Sequence, residues 1–252
     1  MALTATASRT LRTKGMKTLG MRNASIVSVS PDKRNIMYIV KRFSTLEECF
    51  GHLADELVHK QNHMDKVLIF CRTIDDCSTL YFYLKRKLLA AGSFTFPDGS
   101  PDLSKYRRVE MFHSCTESTV KEHILSSFTS PDPKNRLKIV VATIAFGMGI
   151  DCPNIRHVIH FGPPNCVESY IQETGRAGRD GLLSTATLFH HIGRRLSMDD
   201  CIKSYTNNTN ICRRDFLFQD FEEYQHSNFG TMCLCCDICM SKCDCDKCVH
   251  SD

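Results

Sequence analysis

The sequence contains no run of about 18 apolar residues, so a transmembrane helix is excluded. The first twenty residues also lack the apolar stretch that a secretory signal needs. Tryptophan is absent, and there are no internal repeats and no long low-complexity tract. Neither sign of charge dominates: 32 Lys and Arg against 28 Asp and Glu leave a net charge of +4. Overall charge therefore predicts no partner, and any surface for nucleic acid must be local. With 42% apolar and 24% charged residues, the 252-residue chain is too hydrophobic for wholesale disorder. One or two domains fit this length.

Cysteine is what the chain has in quantity, and its 15 residues are unevenly placed. Cys233, Cys235, Cys236, Cys239, Cys243, Cys245 and Cys248 crowd the C-terminal end; Cys212 lies just upstream and the others are scattered singly. A disulfide scaffold spreads its cysteines through a short secreted chain. This distribution fits a reducing compartment and a metal-binding tail instead. At the other end, Met1 to Pro31 holds no acidic residue but carries Arg9, Arg12, Lys14, Lys17 and Arg22. Taken alone, that is the composition of a mitochondrial presequence.

Between the ends, strand-like and helix-like patterns alternate. Leu46, Phe50, Leu53, Ala54, Leu57 and Val58 form a helical stripe, as do Cys77, Leu80, Tyr81, Leu84 and Leu88. Short apolar runs predict strands at Val67–Cys71, Val109–Phe112, Lys138–Thr143, Arg156–Phe161 and Ser184–His190. Gly92–Arg108 reads as a long loop. Thr116 is expected to cap a helix burying Val120, Ile124, Leu125 and Phe128, and a further helix is expected at Val167–Thr174. Such alternation implies an α/β fold, a mainly parallel sheet with helices on both faces. Ligands of open sheets of this kind bind beyond the carboxyl ends of the strands. After Arg194 the pattern turns helical, and from Cys233 no core-forming period remains.

Two segments carry chemistry. In Val140–Asp151 a buried strand enters a turn containing Gly147 and Gly149 and ends on a carboxylate, which could accept hydrogen bonds from ribose hydroxyls. An ordinary strand and turn capped by Asp151 is the simpler account of that segment alone. Gln172–Gly181 then sets Arg176 and Arg179 three residues apart among three glycines, just past a strand end. Arginine keeps its charge when desolvated, and its planar fork suits phosphate oxygens. A solvated basic loop paired with Glu173 and Asp180 is the competing account.

Gln172–Gly181 resembles the last helicase motif of the RecQ family of ATP-dependent DNA helicases, and Ala142–Pro153 resembles the motif before it. Ala2–Ala7 is similar to the family's Thr-Ala-Thr segment, and Val67–Thr73 occupies the place of its fourth motif. The resemblance spans nearly the whole chain in the right order and accounts for the basic N-terminus. It implies a RecA-like lobe followed by a small helical zinc-binding subdomain. The expected divisions are a linker-proximal segment 1–24, a lobe 25–192, a zinc-binding subdomain 193–240 and a Cys-rich tail 241–252. ATP is expected between two lobes, with Mg²⁺, and only when the first lobe is present. Arg179 would be the arginine finger on the γ-phosphate, assisted by Arg176 and Gln172. Asp151 would contact the ribose, while Gly149 and Gly175 allow close approach of the nucleotide. Thr143, His113 and Arg213 would contact DNA at a junction of single strand and duplex. The family moves 3′ to 5′ in DNA repair and recombination, which implies a nuclear setting here.

The sequence departs from the family pattern in places. Cys152 stands where the family has Lys, and His113-Ser114-Cys115 replaces His-Ala-Gly. No Gly-x-x-x-x-Gly-Lys-Ser/Thr loop and no Asp-Glu-x-His box is present. The first lobe is thus expected to have been cut away or never encoded, leaving this chain without ATPase activity by itself; a non-catalytic DNA-binding or regulatory module is the alternative.

For Zn²⁺, Cys212, Cys233, Cys236 and Cys239 have family-like spacing, and a closed four-Cys set marks a structural site. Cys233, Cys236, Cys245 and Cys248 make a second possible quartet, and Cys235, Cys243, Cys245 and Cys248 could form another site; position in the family pattern favours Cys212. Arg194, Arg195, Arg213 and Arg214 could approach phosphates, although basic pairs on helices commonly form a solvated face. The spacing of Phe216, Phe218, Phe221 and Tyr224 favours core over base-stacking. No membrane partner is expected, and oligomeric state is left open.

Overall fold

Six short apolar segments become the strands of one sheet. A computed structural model describes residues 2, 4, 6–92, 107–132, 135–147, 150–191, 198–221 and 232–245. The strands are β1 (Ile36–Phe43), β2 (Lys66–Cys71), β3 (Val109–Phe112), β4 (Ile139–Ala142), β5 (Ile155–Phe161) and β6 (Ser184–His191). They lie in the order β1-β6-β5-β2-β4-β3, and every pairing is parallel. Parallel neighbours require crossovers, which the helices supply. α1 (Arg9–Thr18) precedes the sheet; α2 (Leu46–His59), α3 (Ile74–Ala90), α4 (Ser118–Thr129) and α5 (Val167–Thr174) lie between strands; α6 (Asp200–Asn207), α7 (Arg213–Phe218) and α8 (Asp237–Met240) follow it. Among the described residues no helix is long and apolar enough to cross a membrane.

Alternation along each strand divides the core in two. Leu68, Phe70, Val140, Ala142, Val158, Ala186 and Leu188 face one layer, with Ile124 and Phe128 of α4, Tyr170 and Ile171 of α5, and α6 to α8. Val67, Ile69, Cys71, Ile139, Val141, Ile159 and Phe189 face the other, under α2 and α3. Local sequence fixes the helix starts. Thr45 and Glu48 form a reciprocal capping box on α2, and Thr73 caps α3 by accepting from the Asp76 amide at 3.0 Å. The predicted cap of α4 is displaced: Glu117 holds that position, while the Thr116 hydroxyl accepts from the His113 amide at 3.0 Å in the turn after β3. Most of the predicted 92–108 loop lies outside the described residues.

The expected strands are all present, and β1 joins them at the sheet edge. An edge strand exposes unpaired backbone groups. Here the C-terminal segment covers them: the Tyr38 amide donates to the Cys235 carbonyl at 3.3 Å, and the Val40 amide to Asp237 Oδ2 at 3.1 Å. Arg213 grips the same Asp237 through Nε at 3.0 Å and Nη2 at 3.2 Å, and donates to the Tyr205 carbonyl at 2.8 Å. Arg214, 1% exposed, ion-pairs with Asp32, donates to the Ile36 carbonyl and reaches the Lys33 carbonyl at 3.0 Å. Tyr38, Tyr170, Tyr205 and Phe218 interlock beneath, with ring centroids 5.5 to 6.3 Å apart. The segment from α6 to α8 therefore shares one core with the sheet.

Removing one member of a buried ion pair strands its partner's charge, which costs about 3–5 kcal/mol. Asp32→Ala is expected to lose stability on that scale in urea unfolding, and Asp32→Ala/Arg214→Met to recover most of it. Equal loss in the single and double variants would contradict the role given to this pair.

Candidate functional site

α5 ends in a turn whose shape admits little but glycine. Thr174 is fully buried, its hydroxyl donating back to the Tyr170 carbonyl at 2.7 Å. Gly178 then adopts φ +57°, where a Cβ would collide with the Asn35 amide and the Ser184 hydroxyl. The Gly178 amide donates to the Ile155 carbonyl at 3.1 Å. Asn35 Nδ2 donates to the Gly178 and Leu182 carbonyls, both at 2.8 Å, and Lys33 Nζ to the Gly175 carbonyl at 2.6 Å. The turn thus sits beside the first residues of β5 and β6. That corrects the expectation of an arginine pair just past a strand end: α5 carries the chain back along the sheet before the pair occurs.

From this turn both arginines reach the loop after β4. Arg176 is 7% exposed and donates from Nη2 to the Gly147 carbonyl at 2.7 Å and from Nη1 to the Ile150 carbonyl at 3.3 Å. Its buried Nε has no hydrogen-bond partner among the described residues. Arg179 pairs with Asp151 and touches the Ile150 carbonyl at 3.4 Å; these side chains are 36% and 81% exposed. Burial and then the Arg179 charge lower the pKa of Arg176, and the same two causes lower that of Lys33 against the pull of Asp151. Arg179 and Lys33 thus share the exposed Asp151, while the buried Arg176 feels the pull of Glu173 and donates to carbonyls. Half-buried Gln172 lines a cavity of about 390 Å³ with Arg72, Thr73, Ile144, Asn165 and Arg176. Gly175 is the cap of α5, where a Cβ would meet the Ile171 carbonyl at 3.0 Å. Gly149 lies outside the described residues.

The other predicted contacts sit at the carboxyl ends of adjacent strands. Thr143 follows β4, and its hydroxyl accepts from the Ala145 amide at 3.3 Å; His113 follows β3, and its Nδ1 accepts from the Cys115 amide at 3.2 Å. Both are largely buried. Sequence reasoning missed Lys33 and Asn35, which hold the arginine turn. It also missed the buried His160, whose Nε2 lies 2.7 Å from Glu173 Oε2 while its ring stacks on Phe70. The glutamate beside Gln172 is the one local signal for that pair; its partner comes from another strand.

Arg213 is a correction. With 5% exposure and its guanidinium engaged by Asp237 and Tyr205, it serves the packing of α7 and is no surface contact for DNA. Phe218 and Phe221 are core residues, in line with their spacing. Arg194, Arg195 and Tyr224 lie outside the described residues.

The cysteine set also differs from expectation. Sγ atoms of Cys212, Cys235, Cys236 and Cys239 all lie within 4.8 Å of one another, whereas Cys233 groups with Cys243 and Cys245. The tight turn Met232–Leu234 separates Cys233 from the extended Cys235–Cys236 segment that pairs beside Tyr38. Cys212 Sγ is 3.5 Å from Cys235 Sγ and 3.9 Å from Cys236 Sγ. Zn–S bonds of about 2.3 Å in a tetrahedron put the sulfurs about 3.8 Å apart. Thiol contacts with Cys212 and Cys235, then the Cys239 and Arg213 amides, hold the Cys236 pKa low, whereas burial and Cys236 push Cys239 up. A thiolate crowded by thiols is relieved by a soft divalent cation, so the quartet fits Zn²⁺, which would cross-link α7 to the segment covering β1.

A parallel sheet of this order, with an arginine-bearing turn facing the loop after β4, is the architecture of a RecA-like helicase C-terminal lobe. Residues 48–181 match the family model for the helicase conserved C-terminal domain. The ATP-dependent DNA helicase RecQ of Haemophilus influenzae is 30% identical over 260 residues, covering 95% of this chain and 37% of that protein. The RecQ-like DNA helicase BLM of Xenopus laevis is 29% identical over 272 residues, covering 96% and 18%. In fold, the chain is similar to yeast (S. cerevisiae) Dbp5 bound to RNA and ADP BeF3, with TM-score 0.57 and 18% identity over 88% of this chain and 49% of that one. The chain belongs to the helicase C-terminal domain family, on its RecQ branch. It spans well under half the length of these curated relatives.

Two outcomes follow from this geometry. Gly178→Ala is expected to cost about 1–3 kcal/mol through the left-handed backbone alone, read as a lowered thermal midpoint; an unchanged midpoint would contradict the turn. Metal chelation is expected to accelerate amide hydrogen exchange at Tyr38 and Val40, since their acceptors belong to the cysteine segment. Unaltered protection at both amides would detach the quartet from the sheet edge.

Proposed function

We propose that this chain is the second motor lobe of an ATP-dependent DNA helicase that moves 3′ to 5′, working with a nucleotide-binding first lobe. The observation that carries the reading is the turn that brings Arg176 and Arg179 to the loop after β4, with Lys33 close enough to Arg179 to be lowered by its charge and Arg179 paired to the exposed Asp151. An anion from outside suits such a group of cations, and a triphosphate held by the facing lobe has the required charge. Arg179 is the residue that moves. Its ion pair is exposed and worth no more than about 1 kcal/mol, so exchange of Asp151 for a γ-phosphate is inexpensive. Asp151, once released, is free to accept from ribose hydroxyls. Arg176, held by two carbonyls, positions the loop. Gln172 assists from the cavity wall.

In this reading Thr143 and His113 mark the path of the tracked strand at the carboxyl ends of β4 and β3. Residues 25–192 form the motor lobe, 193–240 the zinc-binding part and 241–252 a Cys-rich tail. Cys212, Cys235, Cys236 and Cys239 hold Zn²⁺ for structure, while ATP and Mg²⁺ depend on the first lobe. A single-strand and duplex junction is the substrate, and nuclear repair or recombination the setting. The sequence has no phosphate loop, so a non-catalytic DNA-binding module remains the second reading for residues 1–252 acting alone.

The test is DNA-stimulated ATP hydrolysis with the chain joined to a RecQ-type first lobe. Arg179→Ala is expected to lower turnover by about 10³–10⁵, the usual contribution of an arginine finger, and residues 1–252 alone to show none. Full turnover in Arg179→Ala would remove the assignment.

A further inference from the structure

We propose that Cys233, Cys243 and Cys245 hold a second soft divalent metal ion, most simply Zn²⁺, separate from the quartet above. Their three Sγ atoms lie within 4.8 Å of one another. Cys233 Sγ is 3.7 Å from Cys245 Sγ, and Cys243 Sγ is 3.3 Å from Cys245 Sγ. These separations approach the edge of about 3.8 Å that tetrahedral thiolate coordination gives, and they exceed the S–S bond of about 2.05 Å in a disulfide. Among the described residues the group holds three thiols, one more than a disulfide uses. A metal uses all three.

Two further observations point the same way. Residues 241–245 contain no regular secondary structure, and no residue of that stretch joins the core clusters. Something other than apolar burial must gather these thiols, and metal binding supplies folding energy to such segments. The two sets are also interleaved along the chain. Cys233 precedes Cys235, Cys236 and Cys239 of the quartet, and Cys243 and Cys245 follow them, so α8 is clasped from both sides. The backbone supports the return: the Cys243 amide donates to the Met240 carbonyl at 3.2 Å and Lys242 Nζ to the Asn210 carbonyl at 3.0 Å. Three thiolates leave a fourth tetrahedral position for water or a further donor. In sequence, Cys248 follows Cys245 with Cys-x-x-Cys spacing and lies outside the described residues.

This inference does not rest on the helicase reading, and metal counting separates the two. The full chain, purified with its metal, is expected to contain two zinc equivalents by elemental analysis. Cys243→Ser/Cys245→Ser and, separately, Cys233→Ser should each contain one, with unchanged far-ultraviolet circular dichroism. For a measurement independent of variant folding, the zinc-stripped wild-type chain is titrated with Co²⁺, whose thiolate charge-transfer absorption should saturate at two equivalents. One zinc equivalent in the wild type, or Co²⁺ saturation at one, overturns the proposal. So does full retention of two equivalents in Cys243→Ser/Cys245→Ser. A wild-type chain with one equivalent that Cys233→Ser abolishes would return Cys233 to a single site.

Discussion

The structure depends on how the outer edge of β1 is closed. A parallel sheet buried on both faces still leaves a row of backbone groups at each margin, and β1 carries one of them, β3 the other. The chain answers with its own C-terminal segment. Cys235 contributes a carbonyl and Asp237 a carboxylate, and Arg213 fixes Asp237 from behind. Buried ion pairs are poor sources of net stability, because desolvation offsets much of the attraction. Their value here is register: Arg213 and Arg214 each engage acceptors that only one docking of α7 on the sheet brings together. The adjacent Cys212 then brings its sulfur to the quartet from the start of the same helix.

At the arginine turn the electrostatic situation differs. Around β1 the buried Arg213 and Arg214 each hold a carboxylate directly, whereas the buried Arg176 holds only carbonyls among the described residues, and Arg179 and Lys33 share the exposed Asp151. Each depresses or is depressed by its neighbour, in addition to the cost of burial. Such a cluster is tolerable because Arg176 and Lys33 spend their donors on carbonyls, which carry partial negative charge without adding a titratable group. Two acids act on it: the exposed Asp151 at Arg179, and Glu173, held by His160, at Arg176.

The sheet was legible in the sequence wherever strands are buried on both faces. Val67–Cys71 and Val140–Ala142 are continuous apolar runs, and their burial is complete. β1 was not, because Lys41 and Arg42 interrupt the pattern on an edge strand whose partners come from residues 235–237 and β6. The glycine-framed arginine pair was legible because Gly178 is required by backbone conformation and packing, both local properties. Arg213 was misread for the opposite reason: a basic pair at a helix start looks solvated until a distant aspartate, Asp237, is placed against it. The cysteine assignment, taken from family-like spacing, differs at Cys233, since spacing along the chain does not show how the backbone turns between Cys233 and Cys236. There a tight turn gives way to extended backbone at Cys236.

The two halves of the molecule meet in four consecutive residues. Asp32 and the Lys33 carbonyl receive Arg214 from the cysteine-bearing segment, while Lys33 Nζ and the Asn35 amide hold the carbonyls of Gly175 and Gly178 in the arginine turn. Displacing this short stretch therefore perturbs the cysteine-bearing segment and the arginine turn together. Linkage makes the relation reciprocal: if metal binding favours one placement of residues 32–35, whatever engages Arg179 and favours the same placement must strengthen metal binding equally. A shared backbone segment is sufficient for that coupling. No side-chain pathway through the sheet is needed, because both sites draw their hydrogen-bond partners from the same turn ahead of β1.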